Sequence, residues 1–598
     1  MRLLAALLLL TVLFHPPVGI AQAFELKILH INDHHSHLRA DTGMDLKLGG
    51  KKTRTTVGGF PRVVAAFKKL LDGKENVFKL HAGDAITGDL YYTLFKGEAD
   101  AALMNEVCFD AFSLGNHEFD DGDGGLKTFL DFLAAGDCAT PVVAANVVPE
   151  IGVSPLTKKT ATDYLRPYTV KTVGGVKVGI IGIDIAKKTK GSSNPDDTTM
   201  FLDERETWQR YIDELKAQGV NHIVLLTHYQ YKNDMALAQS LRGADVIVGG
   251  DSHTLLGDFA GVGLNSGGSY PTQVKDLDGN SVCVVQAWQY AAVVGELDVT
   301  FADDGTVTAC TGTPHLLLSD SFKRKNAAGK RVALEGDDLK AVMADIRAKQ
   351  ELSIVAEDPG AAKTLAGFSA QVDKLKGQVI GTITDKLCLE RVPGQGKSAI
   401  CDVSETAERG SDIGTLVAYA YRKMAVESQI AIQNAGGVRV DVQPGPFTIG
   451  DSYILLPFAN TLVELDMTGA EIHAVLEDAL DYALAEGGSS GAYPYAAGLR
   501  WKIDAGKPKG QRFSAFEFRG KGEAGWSPLD PTRTYKVVTN SFIAAGRDGY
   551  TTFKTVVQDG RILDTYLDYA QSFADYVKEK GSVGKLPPGD YSTQSFVR

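Results

Sequence analysis

The chain has 598 residues, 44% hydrophobic and 23% charged, an ordinary globular composition that excludes disorder, collagen and coiled coil as the main architecture. The length suits two large units as well as four of about 150 residues. A formal charge of −12 speaks against an extended nucleic-acid backbone as partner, which needs clustered Lys and Arg, but leaves room for a small nucleotide held by a few local cations.

The chain opens on an address. Arg2 precedes an apolar run over 3–14, and Ala21-Gln22-Ala23 closes the segment with a small-x-small pattern. That reads as a cleaved export signal with an apolar part too short to span a bilayer comfortably, an uncleaved membrane anchor being the alternative. It predicts a periplasmic or secreted protein whose mature chain begins near Phe24, with no later membrane span. Export places the six cysteines in an oxidising compartment. They fall into neighbouring couples, Cys108 with Cys138, Cys283 with Cys310 and Cys388 with Cys401. Those couples are the expected disulfides, with buried free thiols as the alternative.

From 24 to about 258, short β-rich runs alternate with amphipathic stretches. The runs are 26–31, 77–80, 111–114, 142–145, 178–183, 223–226 and 246–248, and helical patterns include 61–71 and 204–218. Alternation of this kind predicts layered α/β, with strands covered on both faces. The pattern turns β-rich over 270–310. A charged helical stretch at 337–351 then separates two halves. The second half opens with a strand at 379–383, has helices at 414–426 and 469–485, a strand at 535–539 and a last helix at 566–580. The expected architecture is a catalytic domain over 24–335, a linker helix region over 336–376 and a smaller α/β substrate-binding domain over 377–598.

Nine of the twelve histidines lie between His30 and His253, which assigns metal chemistry to the first half. Five polar clusters there follow directly on predicted strands. They are Asp33-His34-His35, Gly83-Asp84, Gly115-Asn116-His117-Glu118-Phe119-Asp120, Thr227-His228 and Gly250-Asp251-Ser252-His253. Ligands of open α/β sheets bind beyond the carboxyl ends of the strands, so these clusters converge on one rim. One Asp-x-His at a strand end is usually a structural hydrogen bond; five clusters in order are not. Mixed His, Asp and Asn donors suit Zn, Mn, Fe or Co ions better than calcium or a thiolate site. The set is too large for one tetrahedral ion, and two ions sharing a carboxylate can clamp an in-line displacement at phosphorus. His34 should face away from His35 if the extended pattern continues. His30 and His222 read as strand residues, His81 as packing or lining the site, and His37 is undecided.

The second half carries Arg409, Asn434-Ala435-Gly436-Gly437-Val438-Arg439, Leu456-Pro457-Phe458 and a run from Phe542 to Asp548-Gly549. Arginine forks match phosphate oxygens, paired phenyl rings sandwich a base, and an acid accepts ribose hydroxyls. Taken singly, Phe458 and Phe542 are ordinary core residues and Asp548-Gly549 is a turn.

Together these motifs resemble the calcineurin-like metallophosphoesterases and, over nearly the whole chain after 23, the exported 5′-nucleotidases, including UDP-sugar hydrolases and NAD nucleotidases. The resemblance implies a layered α/β/β/α catalytic domain and two divalent ions. Asp33, His35 and His253 would hold one ion, Asn116 and His228 the other, with Asp84 bridging and Asp251 a further ligand. His117, oriented by Asp120, would be the catalytic cation or acid. Arg409, Asn434 and Arg439 would hold phosphate or ribose oxygens, Phe458 and Phe542 the base, and Asp548 the sugar. The implied reaction releases phosphate from nucleoside 5′-monophosphates or cleaves the pyrophosphate of NAD or UDP-sugars, with the two domains rotating between open and closed forms. Alternatives are cyclic-nucleotide or thiosulfate-ester hydrolysis, or nucleotide binding without turnover. Two positions depart from the usual pattern: Asp251 stands where histidine is usual, and Arg547 where glycine is usual.

Overall fold

In the computed structural model, which describes residues 24–598 apart from 303, 328, 457, 459 and 486–488, the apolar strands of the first half form two sheets packed face to face. In one, Phe24–Ile31 runs parallel to Val77–His81 and antiparallel to Val293–Phe301. Ala111–Ser113 and Val142–Val143 continue its parallel side. In the other, His222–His228 lies between Val176–Asp184 and Val246–Val248, all three parallel. Ile28, Leu80, Ile180, Val224 and Val248 fill the layer between the sheets. The strands are apolar on their outer faces too, because helices cover both sheets. Phe60–Leu71, Glu98–Val107 and Gly122–Ala134 pack on one sheet, Glu204–Ala217 and Tyr231–Ala238 on the other. The result is the expected α/β/β/α layering.

Three disulfides form, and they are the three neighbouring couples. Cys283 lies on a strand of one sheet and Cys310 on a strand of the other, so their bond crosses the inter-sheet layer.

The charged helix spans Gly336–Ala348. A second helix, Pro359–Lys376, follows it and sets Ala361, Leu365 and Val372 into the core of the first half. Its sparse apolar positions and two internal glycines give the sequence little periodicity to show. The second half is built on a five-stranded sheet in the order Pro494–Ala497, Ile430–Asn434, Thr534–Asn540, Thr461–Thr468, Ile562–Asp568. Asp412–Met424 and Tyr569–Lys580 cover one face, Gly469–Leu484 the other. That last helix is set by its cap: Thr468 Oγ1 accepts from Glu471 N–H, and Glu471 returns the bond to Thr468 N–H.

The C-terminal helix begins three residues later than the sequence pattern suggests. Asp568 caps it by accepting from Gln571 N–H at 2.7 Å, and Tyr566 belongs to the edge strand before it. Among the described residues no helix is long and apolar enough to cross a membrane. The expected export segment lies outside them.

Closing a loop of 27 residues by a disulfide stabilises by roughly 3–4 kcal/mol on chain-entropy grounds. Cys283→Ala with Cys310→Ala is therefore expected to lower the guanidinium midpoint of the first half. An unchanged midpoint would show that the inter-sheet layer holds without the bond.

Candidate metal centre and substrate face

The five clusters meet at one rim of the two-sheet body. Asp33 and His35 follow Phe24–Ile31, Asp84 follows Val77–His81, and Asn116 and His117 follow Ala111–Ser113. His228 ends its strand, and Asp251 and His253 follow Val246–Val248. All are buried or nearly so. Asp33, His35, Asp84, Asp251 and His253 have φ between 46° and 70°, a left-handed backbone that costs side-chain-bearing residues about 1–3 kcal/mol each. Each strand end turns sharply to aim its donor inward. That turn corrects the reason for expecting His34 to face away: no extended pattern continues past Ile31. His34 does face away, bonded to His81 at 2.9 Å and Asp100 at 3.1 Å.

The donors are arranged as lone pairs that face one another. His228 Nδ1 lies 2.7 Å from the Ala82 carbonyl. A carbonyl only accepts, so Nδ1 carries a proton and the neutral ring presents its Nε2 lone pair inward. Burial opposes a second proton, but Asp84 and Asp33 outweigh it and push the pKa well above the usual histidine range, which marks Nε2 as a place for positive charge. Nε2 stands 2.9 Å from Asp84 Oδ2, and neither atom has a hydrogen-bond partner. Asp251 Oδ2 and both amide atoms of Asn116 are also buried without one. His253 Nδ1 is bonded to Gln289 Oε1 at 2.5 Å. That leaves Nε2 facing Asp33 Oδ1 at 3.2 Å and His35 Nε2 at 3.0 Å. Asp84 Oδ2 also lies 3.5 Å from His35 Nε2, so Asp84 touches both donor groups. Ligand atoms of Asp33, His35 and His253, and those of Asp33, Asp84 and His228, each lie within 4.8 Å of one another. Buried acceptors facing acceptors need cations between them, and this donor set fits divalent metal.

The sequence pattern singled out Glu118 without giving it a role. Its carboxylate accepts from the backbone N–H groups of Asp84, Ala85 and Gly115 at 2.6–2.9 Å, which pins two ligand loops together. Asn32 and Gln289 brace Asp33 and His253. His117 Nδ1 bonds Asp120 Oδ2 at 2.6 Å, and its Nε2 is buried without a partner. Burial opposes protonation of His117, but Asp120 and Asp84 outweigh it and push the pKa up to about 9. Lys188, also unforeseen, makes a short ion pair with Asp251. It follows the strand Val176–Asp184 at the same rim, so the strand-end rule that picked the five clusters could have picked this sixth.

The other histidines take structural places. His30 bonds the Tyr270 hydroxyl at 2.8 Å. His81 packs edge-on against Phe109 and Phe112, and His222 against Phe24 and Phe301. His37 bonds the His35 carbonyl and stacks on Tyr290.

In the second half, Ile430–Asn434 and Thr534–Asn540 run parallel and end side by side. Asn434 donates to Asp548 Oδ2 at 3.1 Å and accepts from Asn540 Nδ2 at 3.0 Å. Asp548 itself is left-handed. Phe458 and Phe542 are 45% and 41% exposed, so neither is core. Arg439 stands 5.5 Å over the Phe458 ring. Arg409 lies on the loop before Asp412–Met424 and pairs with Glu408 at 2.9 Å. The structure thus gathers Asn434 and Asp548 into one contact and Arg439 and Phe458 into another.

The residue of the second half that reaches the metal centre is Tyr566. Its ring stacks on His253 with centroids 4.2 Å apart, and its hydroxyl donates to the Asp251 carbonyl. A cleft of about 400 Å³ opens beside it, with His117, Asp120, Asp121 and Asp568 in its walls.

Comparison with known proteins agrees with this geometry. Residues 26–255 match the calcineurin-like phosphoesterase family and residues 379–555 the 5′-nucleotidase C-terminal domain. A probable 5′-nucleotidase of Treponema pallidum is 40% identical over 93% of this chain and 92% of its own. An NAD 5′-nucleotidase of Haemophilus influenzae is 38% identical over 93% and 91%. The solved structure of Haemophilus influenzae NAD nucleotidase superposes with a TM-score of 0.85 at 37% identity, covering 96% of this chain and 99% of that one.

Gly115 tests the donor geometry. A Cβ there would sit 2.3 Å from Asp84 Oδ1 and 2.7 Å from His228 Nε2. Gly115→Ala is expected to keep its far-ultraviolet dichroism while binding divalent metal at least roughly tenfold more weakly. Unchanged metal content by elemental analysis would contradict the assignment of Asp84 and His228 as donors.

Proposed function

This chain belongs to the 5′-nucleotidase family, and from that premise we propose that it is a periplasmic or secreted two-metal phosphohydrolase that releases phosphate from nucleoside 5′-monophosphates. The observation that carries the reading is the pair of lone-pair donor groups meeting at Asp84. Asp33, His35 and His253 would hold one ion and Asn116, His228 and Asp251 the other, with Asp84 in reach of both donor groups. Two divalent ions in that place supply Lewis-acid polarisation of the phosphoryl group and a water acidic enough to ionise near neutral pH; zinc, manganese, cobalt and iron all suit the donors.

The chain's own residues do the rest. Asp120 commits His117 Nδ1, so Nε2 is the atom that faces the phosphate. Protonated, it offsets the charge that grows on the transferring group or hands its proton to the leaving oxygen. Phe458 and Phe542 clasp the base, Asp548 takes the ribose hydroxyls with Asn434 beside it, and Arg409 and Arg439 take phosphate or ribose oxygens. Exposure of both rings supports the clasp. By likeness to the exported 5′-nucleotidases, the second half would turn to bring the phosphate to His117, and such a turn would carry Tyr566 off His253. Likeness to NAD nucleotidase favours a second substrate class, cleaved at the pyrophosphate of a dinucleotide. The export pattern at 1–23 supports the location.

Incubation with AMP, NAD and UDP-glucose, with products separated by chromatography, tests the activity. Turnover should vanish on chelation and return with Mn²⁺ or Zn²⁺; turnover indifferent to chelator would refute the reading. His117→Asn is expected to lower kcat by about 10²–10⁴ with metal content intact, and an unchanged kcat would remove His117 from the chemistry. Phe458→Ala with Phe542→Ala should raise KM for AMP far more than for a small aryl phosphate. Equal losses on both would end the clasp assignment.

A further inference from the structure

Lys188 is 5% exposed and lies at the metal centre, yet none of the roles assigned above uses it. A buried ammonium is costly and persists where something compensates it. Here the partner is Asp251, whose Oδ1 accepts from Lys188 Nζ. The fold places the two on either side of His228. Asp184, opposite His228 in register, ends the neighbouring strand on one side. Thr189 Oγ1 lies 2.6 Å from Asp184 Oδ2 and 2.7 Å from the Ile185 carbonyl, close enough to donate its one proton to either, which fixes the turn that carries Lys188. Asp251 follows the strand on the other side. The ring of Tyr566 closes over the pair, 3.9 Å from Nζ, and shields it from water.

The pair leaves Asp251 with one oxygen committed and one open. Oδ1 faces Lys188 and lies 3.5 Å from His228 Nε2, while Oδ2 is buried without a hydrogen-bond partner. We propose that Lys188 is a positioning residue that makes Asp251 a ligand of the second ion, cancelling the charge of the carboxylate and fixing which oxygen faces the metal. This rests on the two-ion reading above. A protonated lysine has only donors and cannot ligate, so its influence runs through Asp251. Asp33, Asp84 and Asp251 bring three negative charges to the centre, and Lys188 returns the sum to the value that a neutral imidazole at 251 would give. Ligand-bracing partners of this kind control metal affinity nearly as strongly as the ligands do.

The test is binding of Mn²⁺ alone to the chelator-stripped intact protein, read by titration calorimetry and by the spin-coupled paramagnetic resonance of a paired Mn²⁺ centre. Wild type should take two ions. Lys188→Met should keep the ion at Asp33, His35 and His253 while binding the other roughly 10–100-fold more weakly, with the coupled signal replaced by that of isolated Mn²⁺. Lys188→Arg should retain most of the second affinity. Asp251→His combined with Lys188→Met should regain it, because imidazole needs no counter-charge. Two ions at wild-type affinity in Lys188→Met, or equal weakening of both, would overturn the proposal. If Lys188→Met fails to fold, Asp251→His is compared with the double variant. Affinities within roughly threefold support the role, and a further loss of roughly tenfold or more overturns it. Fewer than two ions in wild type would refute the two-ion reading itself.

Discussion

The structure depends on a constraint of charge: seven donors, buried or nearly so, gather at one rim, and their carboxylates call for positive charge among them, as a second proton on His228 or as a metal ion. His228 shows it most plainly. Its Nδ1 proton is spent on the Ala82 carbonyl, so Nε2 and Asp84 Oδ2 meet at 2.9 Å and need a second proton or a metal ion at that place. In a low-dielectric interior such a contact is repulsive unless cations lie among the donors. The two-layer body is built to hold that contact. Parallel strands from both sheets end at the same rim, helices on the outer faces keep the strands from spreading, and Glu118 ties the Asp84 and Gly115 loops through their backbone N–H groups.

Holding the donors inward has a conformational cost. Five of them sit in left-handed backbone, and the glycines beside them leave no room for even one methyl group: a Cβ on Gly250 would lie 2.5 Å from the Ala82 carbonyl. Strain of this size is tolerated where the surrounding packing over-determines it, which is what two sheets with a shared apolar layer supply.

Much of this was legible in the sequence. Buried parallel strands read as continuous apolar runs, so the first half could be laid out from 26–31 to 246–248, and polar clusters at strand ends picked seven residues that the structure brings to one rim. Neighbouring cysteines gave the disulfides. What stayed hidden had no periodic or motif signal. Pro359–Lys376 buries few residues along its 18. Tyr566 looks like the start of a helix until Asp568 is seen to cap it. Lys188 follows a strand end, but it sits in a run of lysines that reads as a solvated face, and it is burial, the ion pair with Asp251 and the Tyr566 ring that set it apart from Lys187 and Lys190. Single-residue long-range contacts leave no trace in local pattern. The exposure of Phe458 and Phe542 was equally invisible, because an apolar residue in sequence reads as core whichever way it points.

The division of labour between the halves follows from the same physics. The metal centre needs rigidity, since its donors repel one another, and it is built entirely on the first half. The face proposed for the nucleotide is built on loops at strand ends of the second, which suits admission and release. Only Gly377 and Gln378 separate the helix Pro359–Lys376 from the strand Val379–Ile383, and Ile449 of the second half packs into the core of the first beside that junction. Under the proposed turning of the halves, Tyr566 is the contact at the metal centre that would break. Its ring covers His253 and Lys188, and its hydroxyl bonds a backbone carbonyl and takes no donor lone pair of the metal set. It can therefore shield the centre from water in one arrangement and withdraw in another while leaving the ligands in place.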